Sequence, residues 1–170
     1  MEDPIATLLI KETKYRLLDE SIPRLNKCLN KVTEEEIWFR PNANTVSIGN
    51  LVLHLCGNVR QWLISGLGGV VDNRQRHQEF NEKGPIPSSE LRNNLSSLGS
   101  EIETVLDKLS PLELRSSQSI QGYEVSGVSI LVHVVEHFSY HVGQVTILVK
   151  SRKNVDMGYY AGKNLDQHNQ

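Results

Sequence analysis

The sequence is short of most features that mark secreted, membrane-spanning or nucleic-acid-binding proteins. Two cysteines occur in 170 residues, Cys28 and Cys56, too few for a disulfide framework and at a spacing that fits no zinc finger. Both are expected as small buried side chains. Basic and acidic residues number 18 and 20, with no block of like charge that could hold a polyanion by counterion release; nucleic acid is a poor partner. No apolar run reaches the ~18 residues of a membrane helix, and the start, MEDPIATLLIKETKYR, is acidic where a signal peptide would be basic. The reading is a soluble, cytoplasmic protein without a membrane partner. Strand-period alternation is almost missing as well, which points away from a sheet.

What is present is helical periodicity in four segments. In the first, Leu8, Tyr15, Leu18, Ile22, Leu25, Leu29 and Val32 follow steps of three, four or seven, the seam a helix offers to a bundle. Pro23 interrupts it, and a kink or break is expected near Ile22. After the acidic TEEE and the loop RPNANT, a second helix is expected from Ser47 to Ser65, with Ile48, Val52, Leu55, Val59 and Trp62 on one stripe and GLGG as its stop. Ser88 or Ser89 can cap the third, whose seam is Leu91, Leu95, Leu98, Ile102, Val105 and Leu109 before Ser110 and Pro111 end it. The fourth spans about Ser126 to Lys150, with Leu131, Val134, Val135, Phe138, Val142, Val145 and Val149 on its apolar side. The fold class is therefore all-α, a four-helix bundle in one domain over residues 1–162 with a disordered tail over 163–170. The connections 66–87 and 111–125 exceed a simple bundle turn, so at least one is expected to be a crossover.

The fourth segment reads HVVEHFSYHVGQ and places His133, His137 and His141 at i, i+4 and i+8. At 1.5 Å per residue His133 and His141 stand about 12 Å apart along the axis and cannot share an ion. On a wheel with Leu131 at zero, His137, His141 and His133 fall at about −120°, −80° and −160°, so the pair nearest the buried stripe is His137 with His141. Buried imidazoles need hydrogen-bond partners or a metal. His54 is the natural third donor, being the other histidine within a helical segment, and three histidines with an open position make a catalytic rather than a structural arrangement. A rival match, H-x-x-E-H over His133–His137, would use His133 and His137 as ligands and Glu136 as base; it leaves His141 without a role and points Glu136 away from the pair. Asn58, Gln61 and Gln144 lie near the ligand faces and are candidates to bond ligands or substrate. Arg74, Arg76 and Glu79 can close over an anionic substrate or pair with one another. Gly143, costly inside a helix, suggests a close approach by a helix or ligand. His77 and His168 are expected in solvent, and Trp38 and Trp62 in the core or a subunit contact.

Three stretches, RPNANTVSIGNLVLHLCGN, DNRQRHQEF and SILVHVVEHFSYHVGQ, resemble the DinB-like (damage-inducible, YfiT-related) metal-binding four-helix bundles, in a branch of unknown function. The resemblance covers most of the chain. It implies an up-down-down-up helix order, a divalent ion, zinc or nickel, held by His54, His137 and His141, and a homodimer. Similar proteins include thiol-dependent S-transferases and maleylpyruvate isomerase relatives. The expectation is thus a metal-dependent transferase or hydrolase acting on a small molecule, with a low-molecular-weight thiol as a possible partner and no side chain singled out as catalytic base. The alternative is a non-catalytic bundle that binds metal as a sensor, store or structural element.

Overall fold

The first helical segment does not break at Pro23; it widens. In the computed structural model, which describes residues 3–169, α1 (Pro4–Lys14) runs through a π-helical stretch, Tyr15–Ser21, into α2 (Ile22–Leu29). The Ile22 amide bonds the Leu17 carbonyl, five residues back. Proline lacks the N–H of an α turn and its ring clashes with the carbonyl four residues earlier, and an inserted wide turn relieves both. The wide turn also shifts the helix phase. Downstream, Ile22, Leu25 and Leu29 are buried as the seam requires, but upstream the buried positions are Ala6, Thr13 and Leu17, while Leu8 and Tyr15 are exposed. A seam of unbroken α period, read back from Ile22, misses this shift.

The second segment is α4 (Ile48–Val59), again prolonged by a π stretch, Arg60–Ser65. Ser47 and Asn50 form its capping box. The third is α6 (Ser88–Lys108). Neither serine caps it by a side-chain bond: Pro87 occupies the cap position, and the Ser88 amide donates to Glu34 at 2.8 Å. Leu91, Leu95, Leu98, Ile102 and Leu106 are buried along it. The fourth is α8 (Gly127–Lys153), capped by Ser126 and ended by Asn154 in the left-handed region at φ 48°.

Directions follow from the contacts. Arg115, just ahead of α8, pairs with Asp3 at the start of α1, and Cys28 near the end of α2 meets Thr146 of α8, so these helices are parallel. Lys14 pairs with Asp107 and Arg92 bonds the Asn26 carbonyl, which sets α6 antiparallel to the first helix. His54 faces His137 and Asn58 faces His133, so α4 is antiparallel to α8. The order is up-down-down-up. Because α4 and α6 run the same way, the chain between them must travel back along the bundle, and that crossover carries the short helix α5 (Arg76–Asn81).

Five short elements lie outside the four-segment reading. TEEE forms α3 (Glu34–Trp38) through a Thr33–Glu36 capping box, α5 has just been placed, and α7 (Pro111–Arg115) starts at Ser110 with another such box. Then β1 (Ser117–Ile120) and β2 (Tyr123–Ser126) pair antiparallel. Their two-residue turn needs positive φ at both positions and has it, Gln121 at 52° and Gly122 at 81°. Both cysteines are buried. Gly143 corrects an expectation: it is exposed, and a Cβ there would meet nothing within 4 Å. Residues 1 and 2 of the expected domain and residue 170 of the expected tail lie outside the described residues. Among those described, no helix is long and apolar enough to cross a membrane.

Candidate metal centre

The site sits where α4 and α8 cross beneath the α5 crossover. His54, in the middle of α4, is buried at 4% exposure, and His137 and His141 project from successive turns of α8, half-buried. One ring nitrogen from each lies within 4.8 Å of the other two. The Nε2 atoms of His54 and His137 are 2.9 Å apart, and the His137 and His141 rings meet edge to face, centroids 4.6 Å apart. Two imidazole lone pairs that converge this closely repel unless a proton or a cation lies between them. The three side chains can hold a metal ion.

Their protonation suits that role. Burial pushes His137 down to about 3, helped by His141, His54, His133 and Arg74 nearby. His141 is also lowered, chiefly by burial, against a raising contribution from Gln144. Both are neutral donors at pH 7, as ligation requires. The outer nitrogens are occupied: His54 Nδ1 meets Glu79 Oε2 at 2.9 Å, and His141 Nδ1 meets Gln144 Oε1 at 2.6 Å. Glu79 Oε2 and Gln144 Oε1 each stand where they can accept a hydrogen bond from a protonated Nδ1, which would leave Nε2 free to ligate, the arrangement common to metal-binding histidines; Arg74 Nη2 lies 3.1 Å from the same His54 nitrogen.

Glu79 is itself clamped. Arg74 donates from Nε to Oε1 at 2.7 Å and from Nη2 to Oε2 at 2.9 Å, with the Arg74 side chain 4% exposed. Burial works to raise the Glu79 pKa, but the bonds from Arg74 and His54 outweigh it and the carboxyl is lowered overall. Gln61 accepts from Arg74 Nη1 at 2.9 Å and donates to Asp72 at 2.7 Å. A chain of bonds therefore runs from Asp72 through Gln61, Arg74 and Glu79 to His54. The clamp needs a residue without a side chain beneath it: a Cβ on Gly57 would lie 2.0 Å from Glu79 Oε1.

The other candidates divide. His133 stays out of the cluster and stacks on Trp62, centroids 3.8 Å apart. Its pKa is lowered by burial. Asn58 turns its Nδ2 to His133 at 3.3 Å, and its buried Oδ1 has no partner. Gln61 and Gln144 serve Arg74 and His141. Arg76 is exposed and lies over the Phe80 ring at 4.8 Å, while Phe80 in turn packs on His54. Glu136, His77 and His168 are exposed. Trp62 is buried and Trp38 half-buried. Arg40 and Asn50 had drawn no attention as individual residues, yet they hold α5: Asn50 donates to the Glu79 and Glu82 carbonyls at 2.8 and 2.9 Å, and Arg40 donates to those of Phe80 and Glu82. Their signal lay in the RPNANTVSIGN stretch, whose role no periodicity explains.

Comparison with known proteins agrees with this architecture. A family model described as "Protein of unknown function (DUF1572)" matches residues 6–160. A crystal structure of a DinB-like protein (YjoA) from Bacillus subtilis superposes with a TM-score of 0.65 at 16% identity, covering 85% of this chain and 94% of that one. Another DinB-like protein, from Bacillus cereus ATCC 10987, gives 0.60 at 15% identity over 79% and 87%. At these identities the likeness shows the fold. No curated protein matches the chain.

Proposed function

The chain belongs to the family of unknown function DUF1572, and on that premise we propose that it is a divalent-metal-dependent enzyme acting on a small molecule, as a thiol-dependent S-transferase or a hydrolase. The observation that carries the reading is the donor count. His54, His137 and His141 converge, and no fourth histidine, cysteine or carboxylate joins them among the described residues. Structural zinc sites are closed by four protein ligands, whereas catalytic ones keep a position open. A divalent ion bound here would lower the pKa of a thiol or water at the open position, making it nucleophilic at neutral pH.

The protein's own residues shape the remainder. Glu79 and Gln144 fix which nitrogens face the centre. Arg74 is committed to Glu79 and is not free to clamp an anionic substrate, whereas Arg76, exposed beside Phe80, is. Asn58 keeps a buried amide oxygen without a partner, and we assign it to substrate. Zinc or nickel as the ion, a low-molecular-weight thiol as co-substrate, and a homodimer in the cytoplasm complete the proposal and rest on the sequence resemblance. Imidazole accepts either metal.

The test is turnover by chelated protein reloaded with zinc or nickel, offered small thiols with an electrophile and, separately, activated esters. Metal-dependent turnover that disappears in His137→Ala supports the reading, and the productive set separates transferase from hydrolase. Metal binding without turnover on either set favours the second reading, a sensor, store or structural site. One feature supports that alternative: the cavity of about 540 Å³ beside the centre is lined by Arg74 and Glu79 but by none of the three histidines.

A further inference from the structure

We infer that the crossover helix α5 is coupled to the metal centre through Glu79, a positioning residue that sets the orientation and tautomer of His54, and that Arg40 and Asn50 are the groups that keep it docked. The inference rests on the metal reading above and assigns a role to residues far from the centre in sequence.

By itself α5 has little to hold it. It is six residues long with no fully buried side chain, well below the length at which a helix persists unaided. Apart from the Phe80 ring on His54, its attachments are polar and come from two sides. At its C-terminal end, the Glu79, Phe80 and Glu82 carbonyls are taken by Asn50 and Arg40. Asn50 is completely buried and spends its whole amide, because its Oδ1 also accepts from Ser47 and from Arg40. At the site, Glu79 and Arg74 lie against α4 where Gly57 leaves room. The stretch that caps α4 thus also docks the helix that aims Glu79 at His54. This is a physical reason for RPNANTVSIGN and DNRQRHQEF to occur in one chain.

The consequence is reciprocal. If a docked α5 holds His54 with Nε2 free, docking raises metal affinity, and by linkage metal binding must stabilise the docked crossover to the same degree. A six-residue helix with no fully buried side chain is among the first elements to open, so the coupling can be read directly in its backbone.

The experiment uses zinc ion alone as probe, with the full chain and its Glu79→Ala, Glu79→Gln, Gly57→Ala and His141→Ala variants, each checked for helical content. Removing a partner of a ligating histidine weakens metal binding by about 10–100-fold. Glu79→Ala and Gly57→Ala are expected to fall in that range, the second without loss of the carboxylate, and Glu79→Gln to retain part of the affinity through its amide oxygen. In the metal-free protein, nitrogen NMR is expected to show His54 protonated on Nδ1 in the wild type and to lose that signature in Glu79→Ala and Gly57→Ala. Zinc is expected to slow amide exchange across residues 74–82 in the wild type but not in Glu79→Ala. Zinc affinity lost in His141→Ala but unchanged in Glu79→Ala overturns the coupling alone. A wild type that binds no zinc overturns the metal reading and the coupling together.

Discussion

The two seams of the bundle are built on opposite principles. Where the first helical segment meets α6, the buried side chains are apolar, Ile22 and Leu25 on one side and Leu91, Leu95, Leu98 and Ile102 on the other, and the polar pairs Lys14–Asp107 and Arg92–Asn26 lie along its margin. Where α4 meets α8, the same depth holds His54 and Asn58, with His137, Arg74 and Glu79 close by, and nearly every polar atom is answered by another. An apolar seam is proportional to buried area and tolerant of exchange. A polar seam is held only while each member is satisfied. The first seam therefore maintains the fold, and the second is the place where a ligand changes the energy most.

The contrast can be broken in order of expected effect. Leu98→Ala, in the apolar seam, should cost about 2–5 kcal/mol in denaturant unfolding while leaving the zinc affinity of the folded protein unchanged; a parallel loss of affinity would mean that the seams are not independent. Arg74→Ala strands a Glu79 carboxylate that is 10% exposed and should destabilise by about 3 kcal/mol, with a loss of zinc affinity that Leu98→Ala does not share. Saturating zinc, at about 100 times its dissociation constant, should stabilise the wild type by about 2.7 kcal/mol in thermal unfolding, and His137→Ala should abolish that gain.

The smallest effect is at the surface and serves as a control. The Thr33 amide and Lys153 hold the Glu36 carboxyl below the ordinary glutamate value. Its folded pKa is thus lower than its unfolded one, and the stability it contributes is present above the unfolded value and lost as pH falls through the folded value. Glu36→Gln should therefore lower Tm slightly at neutral pH and converge with the wild type in acid.

The same contrast explains what could be read from the sequence. Apolar periodicity located all four main helices, because a seam of Leu, Ile and Val repeats within one segment. It failed where local chemistry altered the period, as at the π turn before Pro23 that exchanged Leu18 for Leu17. It also failed where an element is set by local or distant polar contacts rather than by an apolar period: capping boxes in α3 and α7, Arg40 and Asn50 on α5, and the turn at Gln121–Gly122. In the polar seam, spacing drew attention to the α8 histidines and to His54, since helical geometry relates them to neighbours on known faces. The bond from Glu79 to His54 crosses 25 residues through a segment without periodicity, and the docking of α5 by Arg40 and Asn50 spans more. Such contacts have no signature in a single sequence beyond the residue types themselves. The Arg74–Glu79 segment offered two readings, a clamp for an anion or an internal pair, and the geometry shows the pair.

The most direct test of the account is metal content per chain, by elemental analysis of tag-free protein after chelation and reloading, for the wild type and for His54→Ala, His137→Ala, His141→Ala and His133→Ala. The account predicts about one ion per chain in the wild type and in His133→Ala, and none in the other three. Metal retained by His141→Ala but lost from His133→Ala would transfer the site to the H-x-x-E-H pair, and no metal under any loading would leave a helical bundle whose histidines only bond one another.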